Sequence, residues 1–234
     1  MEIDLNADLG EGAGFDAELM PLITSANVCC GLHASGPSEM ARTLELAQSR
    51  GVTVGAHPGY DDRANFGRVE RNLSAQDIFD LLTYQLGAML ALVSGRNMEM
   101  RYLKAHGALY NQACREMTVA ESVAGAAYGY CGGLPVMGLP GSALEAATQA
   151  RGLQFIPEGF ADRRYRPDGS LVPRTEPGAF VHDPDEAVNQ VEWLVRDKGV
   201  RTICVHGDNP DAVAFTKAVR AALLARGFTL KAFA

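Results

Sequence analysis

Several things are missing from this 234-residue sequence, and each absence narrows what the chain can be. There is no basic excess: 21 Lys and Arg stand against 28 Asp and Glu, for a net charge of −7. Nucleic acid, which a protein grips through a cationic face, is therefore not an expected partner. No apolar run reaches roughly 18 residues, so no segment is expected to span a membrane. The start, Met1-Glu2-Ile3-Asp4, is acidic and lacks the basic and apolar stretches of a signal peptide. The cysteines number five, and only Cys29 and Cys30 are neighbours, which reads as reduced thiols in a cytoplasmic protein. No Gly-x-Ser-x-Gly elbow occurs, which argues against a serine acyl-enzyme of the hydrolase type. None of the four lysines follows a glycine, so there is no Walker A loop. Repeats, low-complexity tracts and interdomain linkers are also lacking, and residues 1–234 are expected to form one domain.

What is present is a hydrophobic content of 47%, enough for a full core, arranged as alternating strand and helix patterns. Ile3, Leu5, Ala7 and Leu9 alternate with Asp4, Asn6 and Asp8, a period of two that predicts a strand with one polar face. Further extended runs are predicted at 22–30, 52–54, 101–104, 134–139, 153–156 and 201–205, with a short eighth at 228–233. Helices are predicted over 37–50, 75–94, 112–128, 143–150 and 211–226, and from Asp183-Pro184 onward, where Asp183 serves as N-cap. Ser74, with Asp77 three residues on, reads as a capping box. After Tyr165 the chain has no regular pattern to about residue 182 and carries a Pro167-Asp168-Gly169 turn signal; with Arg163, Arg164 and Tyr165 it reads as a substrate or partner lid. Seven β-α units of roughly 30 residues suit an α/β barrel one unit short of eight, with a doubly wound open sheet as the alternative.

Ligands and chemistry collect at the carboxyl ends of the strands in such folds. The predicted strand ends gather Asp4, Asn6, Asp8, Asn27, His33, His57, Lys104, His106, Glu158, Asp162, His206 and Asp208, including four of the five histidines. The chemistry this suggests is hydrolytic. Histidines and carboxylates would move protons, and Lys104 would hold an anion or a developing oxyanion. Cys29 and Cys30 read as buried strand residues, since a structural zinc site would need a second ligand pair.

Six stretches together resemble the LamB/YcsF family of lactam-utilisation proteins: Asp4 to Glu11, Ser25 to Ala34, Gly55 to Asp62, Lys104 to Asn111, Phe160 to Tyr165 and Val205 to Asp208. The resemblance runs through the whole chain in order. It implies a distorted TIM-like (β/α)7 barrel related to sugar deacetylases. It also implies ATP-dependent opening of 5-oxo-L-proline to L-glutamate, with ATP as co-substrate, and partner subunits B and C of a 5-oxoprolinase. On this reading Asp8, His57, Lys104 and His106 are the catalytic candidates. Asn6, Asn27, His33, Glu158, Arg163, Arg164, His206 and Asp208 are candidates for substrate binding, with Arg163 or Arg164 reaching an anionic group from the lid. The chain departs from the family pattern at Gly36, where an acid is usual, at Ala105, where proline is usual, and at Val69, where a second arginine is common. Two other readings stand beside it. Asp8, His33, His57 and His106 have the ligand chemistry to bind one divalent metal, as in a metal-dependent amide hydrolase or deacetylase without ATP. A lactam-binding subunit whose partners do the chemistry is the third. Self-association into a homo-oligomer is open.

Overall fold

The alternation in the first strand becomes two environments in the computed structural model, which describes residues 1–130, 132–206 and 211–233. Along β1 (Glu2–Leu9) the apolar set Ile3, Leu5, Ala7 and Leu9 joins the core beneath the helices. Asp4, Asn6 and Asp8 are just as buried, but their partners are polar side chains from other strands. The parallel neighbours of β1 are β2 (Ser25–Cys29) on one side and β7 (Thr202–His206) on the other. Between these run β3 (Thr53–His57), β4 (Met100–Lys104), β5 (Val136–Gly138) and β6 (Phe155–Phe160), each pairing with the next. The sheet therefore closes into a seven-stranded parallel barrel, and the open-sheet alternative is excluded. A two-residue strand, β8 (Thr229–Leu230), pairs with the start of β1 at Glu2 and Ile3.

The helices cover the outside: α1 (Asp16–Leu19), α2 (Pro37–Arg50), α3 (Ala75–Ser94), α4 (Gly107–Arg115), α5 (Met117–Gly129), α6 (Ala143–Ala150), α7 (Pro184–Lys198) and α8 (Ala212–Ala225). The Ser74–Asp77 capping box starts α3, and the Asp183 carboxylate caps α7 by accepting from the amides of Asp185 and Glu186. By length and mean hydropathy α3 is apolar enough to cross a bilayer. Its stripe of Ile78, Leu82, Leu86, Met89 and Val93 is instead buried in the protein core. Three elements differ from the sequence expectation, the first being α1, a short helix where none is expected. The helix expected over 112–128 is two helices, because Glu116 adopts an extended conformation (φ −112°, ψ 114°) and α5 restarts from its carbonyl. The sixth strand does not stop at Ile156 but continues through Pro157, which loses only a donor; its carbonyl still accepts from the Arg201 amide at 2.9 Å.

The barrel interior is layered. Near the amino ends of the strands Tyr102, Met137 and Ile156 form a small apolar plug, with Phe233 packed on Tyr102. The Tyr102 ring lies over Gly55, where a Cβ would stand 2.2 Å from it. Asp4 belongs to this half as well. It accepts from the hydroxyls of Thr24 (2.6 Å), Ser25 (2.7 Å) and Thr202. The expectation that Asp4 joins the rim site is thus corrected, because in a strand of eight residues only the last few reach the carboxyl end.

Candidate active site

Lys104, the last residue of β4, points into the barrel and is 2% exposed. Its ammonium contacts Asp8 Oδ1 at 2.9 Å, Glu158 Oε1 at 2.7 Å, Asn6 Oδ1 at 3.3 Å and Cys204 Sγ at 3.1 Å. Asn27 donates to Asn6 (2.7 Å) and to Asp8 (2.8 Å), and the Tyr102 hydroxyl donates to Asn27. Two buried acids thus share one buried cation. Burial works against the charge on Asp8, but His57 and Lys104 outweigh it and hold this carboxyl well below its ordinary value. For Glu158 burial wins over the pull of Lys104, so it keeps its proton more tightly than a free glutamate. Lys104 therefore pairs with an ionised Asp8, while Glu158 is the weaker acid of the two.

Above this layer lies a second cluster. Glu11, in the loop after β1, places its Oε1 3.1 Å from His33 Nε2, 3.0 Å from His106 Nδ1 and 3.7 Å from His57 Nε2. Asp8 Oδ2 is 3.3 Å from His57 Nε2. The far ring nitrogens fix the tautomers. His57 Nδ1 meets the Lys104 carbonyl at 2.9 Å and His106 Nε2 meets the Phe66 carbonyl at 2.8 Å. A carbonyl only accepts, so both of these nitrogens carry hydrogen. The nitrogens left over, His57 Nε2 and His106 Nδ1, then face each other 3.0 Å apart. Two lone pairs at that distance, beside two carboxylates, repel unless a cation lies between or next to them. That cation is a proton or a metal ion. One ligand atom from each of Glu11, His33, His57 and His106 lies within 4.8 Å of the others, which fits a divalent ion with nitrogen and oxygen ligands. The backbone carbonyls orienting two of the rings are the outer-shell support such sites use. Burial lowers the basicity of His106 against the pull of Glu11; at His33, Cys29 and Glu11 outweigh burial and raise it.

Residues 161–183 form the lid over this end. Antiparallel bridges Arg163–Phe180 and Tyr165–Leu171 turn the stretch expected to be irregular into a hairpin. Within it Asp162 accepts from His206 Nδ1 at 2.7 Å, and His206 stacks on Phe160. Arg163 is 5% exposed and faces the cavity. Arg164 is half exposed and pairs with Glu186 outside it, so the structure separates the two arginines considered for the lid. The cavity beneath the lid is about 790 Å³, with Asp8, Glu11, His57, Lys104 and His106 in its wall. Asp208 lies outside the described residues. Sequence reasoning misses Glu11 as a member of this cluster. The signal that could find it is its place three residues after Asp8, just beyond a strand end. Gly36, the position where the family has an acid, starts α2 in extended conformation (φ −166°).

A closed parallel barrel with a buried carboxylate–histidine cluster under a lid at its carboxyl end makes a candidate site for proton transfer or for a divalent ion. The chain belongs to the LamB/YcsF family, whose model matches residues 3–234. A 5-oxoprolinase subunit from Neisseria meningitidis serogroup C (strain 053442) is 47% identical over 243 aligned positions, covering 99% of both chains. The crystal structure of a lactam utilization protein from Thermus thermophilus superposes with a TM-score of 0.91 at 37% identity over all of both chains. A family 4 carbohydrate esterase from Streptomyces lividans, solved with acetate, shares the fold at a TM-score of 0.51 and 12% identity, covering 100% of this chain and 93% of the esterase.

Proposed function

We propose that this chain is the lactam-opening subunit of an ATP-dependent 5-oxoprolinase, converting 5-oxo-L-proline to L-glutamate as ATP becomes ADP and phosphate, together with partner subunits B and C. The observation that carries this reading is the facing pair of His57 Nε2 and His106 Nδ1 between Asp8 and Glu11, at the floor of a lidded cavity. The relatives named as 5-oxoprolinase subunits, at 47% identity, support the choice of substrate. In the ring opening, water adds its oxygen to the lactam carbonyl carbon, the C–N bond breaks, and the nitrogen takes up a proton. ATP first phosphorylates the amide oxygen and leaves as ADP; water addition and C–N cleavage then give an acyl phosphate, and a second water releases phosphate to leave the glutamate carboxylate. The Lys104 carbonyl orients His57 through Nδ1–H, so that Nε2 accepts a proton from the attacking water, and the ionised Asp8 beside it stabilises the imidazolium that forms. His106 lies within hydrogen-bond reach of the same point and returns a proton to the leaving nitrogen. Glu11, His33, His57 and His106 are also placed to hold a divalent ion; with their lone pairs committed to it, its Lewis acidity at the carbonyl would stand in place of the histidine proton transfer. The described residues contain no Walker-type phosphate loop, so the reading places part of the ATP site on the partners. Unpaired thiols at Cys29, Cys30, Cys114 and Cys204 suit a reducing cytoplasm.

The test is 5-oxo-L-proline-dependent ADP release, measured with the chain alone and with subunits B and C. We expect little turnover alone, coupled ADP and glutamate release by the complex, and loss of at least about a hundredfold in kcat with Glu11→Gln. ADP release that stays independent of this chain would sink the proposal. The histidine cluster also favours a second reading, amide hydrolysis driven by a metal without ATP. Glutamate formed by the chain and a divalent ion alone would select it.

A further inference from the structure

Between the histidine floor and solvent, the cavity wall carries arginines from two separate loops. Arg68 comes from the β3–α3 loop, and Arg163 and Arg174 from the lid hairpin. Phe180 lies against both lid arginines, with Arg163 Cζ 5.3 Å and Arg174 Cζ 5.4 Å from its ring centre, while Arg68 Cζ stands 4.7 Å from the Phe66 ring. Phe66 itself packs edge-on against His33 and His106, so this arginine wall adjoins the floor. We infer that Arg68, Arg163 and Arg174 form a carboxylate subsite, which seats the acid group of the lactam near the mouth while its ring amide reaches the histidines.

Arg163 is the buried member of the three. It is only 5% exposed, one of its terminal nitrogens donates to the Val172 carbonyl, and its Nε is buried with no hydrogen-bond partner. Burial and then the positive charge of Arg174 push its pKa down to about 10, over the upward pulls of Asp162 and Tyr165, with Arg68 adding the smallest push. Asp162, the carboxylate acting on it, is held through Oδ2 by His206 and is also pulled on by Arg174, so this one acid is shared among several cations. Like charges gathered in a partly desolvated wall cost free energy that a bound anion offsets. Guanidinium groups present paired donors that match the two oxygens of a carboxylate, and aromatic faces hold the guanidinium planes in place. A phosphoryl group shares this oxyanion chemistry, so the experiment must separate the two sources. The inference rests on the lactam reading above.

Binding is measured by calorimetry on the full chain, with and without the partner subunits. The probes are 5-oxo-L-proline, 2-pyrrolidinone (the same ring without the acid), L-glutamate (the acid without the ring) and Mg-ATP. The wild type is expected to prefer 5-oxo-L-proline over 2-pyrrolidinone by at least about tenfold. Arg163→Met and Arg68→Met should each cut that preference to less than about threefold, with 2-pyrrolidinone binding little changed. Arg163 also anchors the hairpin through Val172, so the exposed Arg68 keeps the question decidable if Arg163→Met misfolds. Equal wild-type affinity for the two lactams overturns the subsite but leaves the lactam reading. Weakened Mg-ATP binding with unchanged 5-oxo-L-proline binding assigns the arginines to phosphoryl groups and also overturns it. Arginine-dependent binding of L-glutamate with neither lactam bound upholds the subsite and defeats the lactam reading. No binding of any probe removes both.

Discussion

Lys104 shows how a single residue can be read two ways until its neighbours are known. From the sequence it is a free positive charge at a strand end, waiting for an anionic ligand. In the structure its ammonium is already occupied by Asp8, Glu158, Asn6 and Cys204 inside the barrel. In the proposed reaction it acts through Asp8, whose ionised state it supports. Lys104→Met should strand two acids without a cation, at a cost of about 3–5 kcal/mol, the usual penalty for breaking a buried pair. In a chain of this size that lowers the melting temperature by roughly ten degrees. Lys104→Met/Glu158→Gln should recover part of the loss, since it removes one of the stranded carboxyls. Circular-dichroism melts of the three proteins check this, and a Lys104→Met protein melting within about two degrees of wild type would contradict it.

At the scale of an element, the β3–α3 loop matters as much as any strand. It carries Phe66, whose carbonyl fixes the His106 tautomer, and Gly67, whose carbonyl accepts from the Ala108 amide at the start of α4. Gly67 has φ +62°, and a Cβ there would stand 2.7 Å from His33 Cβ and 3.0 Å from His106 Cδ2. No side chain fits without moving a histidine. Gly67→Ala should leave the barrel folded, with a backbone penalty of about 1 kcal/mol, while disturbing the ring positions. Equilibrium dialysis with zinc or cobalt should then show affinity reduced by about tenfold or more, as loss of ring orientation does in metal sites. Unchanged cation affinity in a folded Gly67→Ala protein would mean that Glu11 and the histidines do not hold an ion in the arrangement argued for.

The whole molecule is knit together by its first strand. β1 pairs with β2 and β7 to close the ring, and its start also receives β8. The chain ends meet there: the Thr229 amide donates to the Met1 carbonyl, the Lys231 amide donates to the Ile3 carbonyl, and Phe233 reaches Tyr102 in the barrel plug. A ring closed by its earliest and latest strands has no half that could keep its hydrogen bonds alone. Calorimetry should therefore show one transition whose measured and van't Hoff enthalpies agree. Two resolved transitions would count against a single cooperative unit.

By itself the sequence determined most of the elements and the polar face of the barrel. Ser74 and Asp77, Asp183 and Pro184, and the alternation from Ile3 to Leu9 are local signals, written within a few neighbouring residues, and the structure follows them. Motif order also carried the family. Only the tertiary structure decided which strand-end residues share a site. Asp4 and Asp8 are four residues apart on one face of one strand, yet Asp4 lies with Thr24 and Ser25 while Asp8 meets Lys104 and His57. Arg163 and Arg164 are adjacent, yet one enters the cavity and the other pairs with Glu186. Glu11 becomes the centre of the histidine cluster because ring closure brings His33, His57 and His106, from three different strand ends, around its carboxylate. Those meetings depend on register and closure across the barrel, and no local pattern along the chain encodes them.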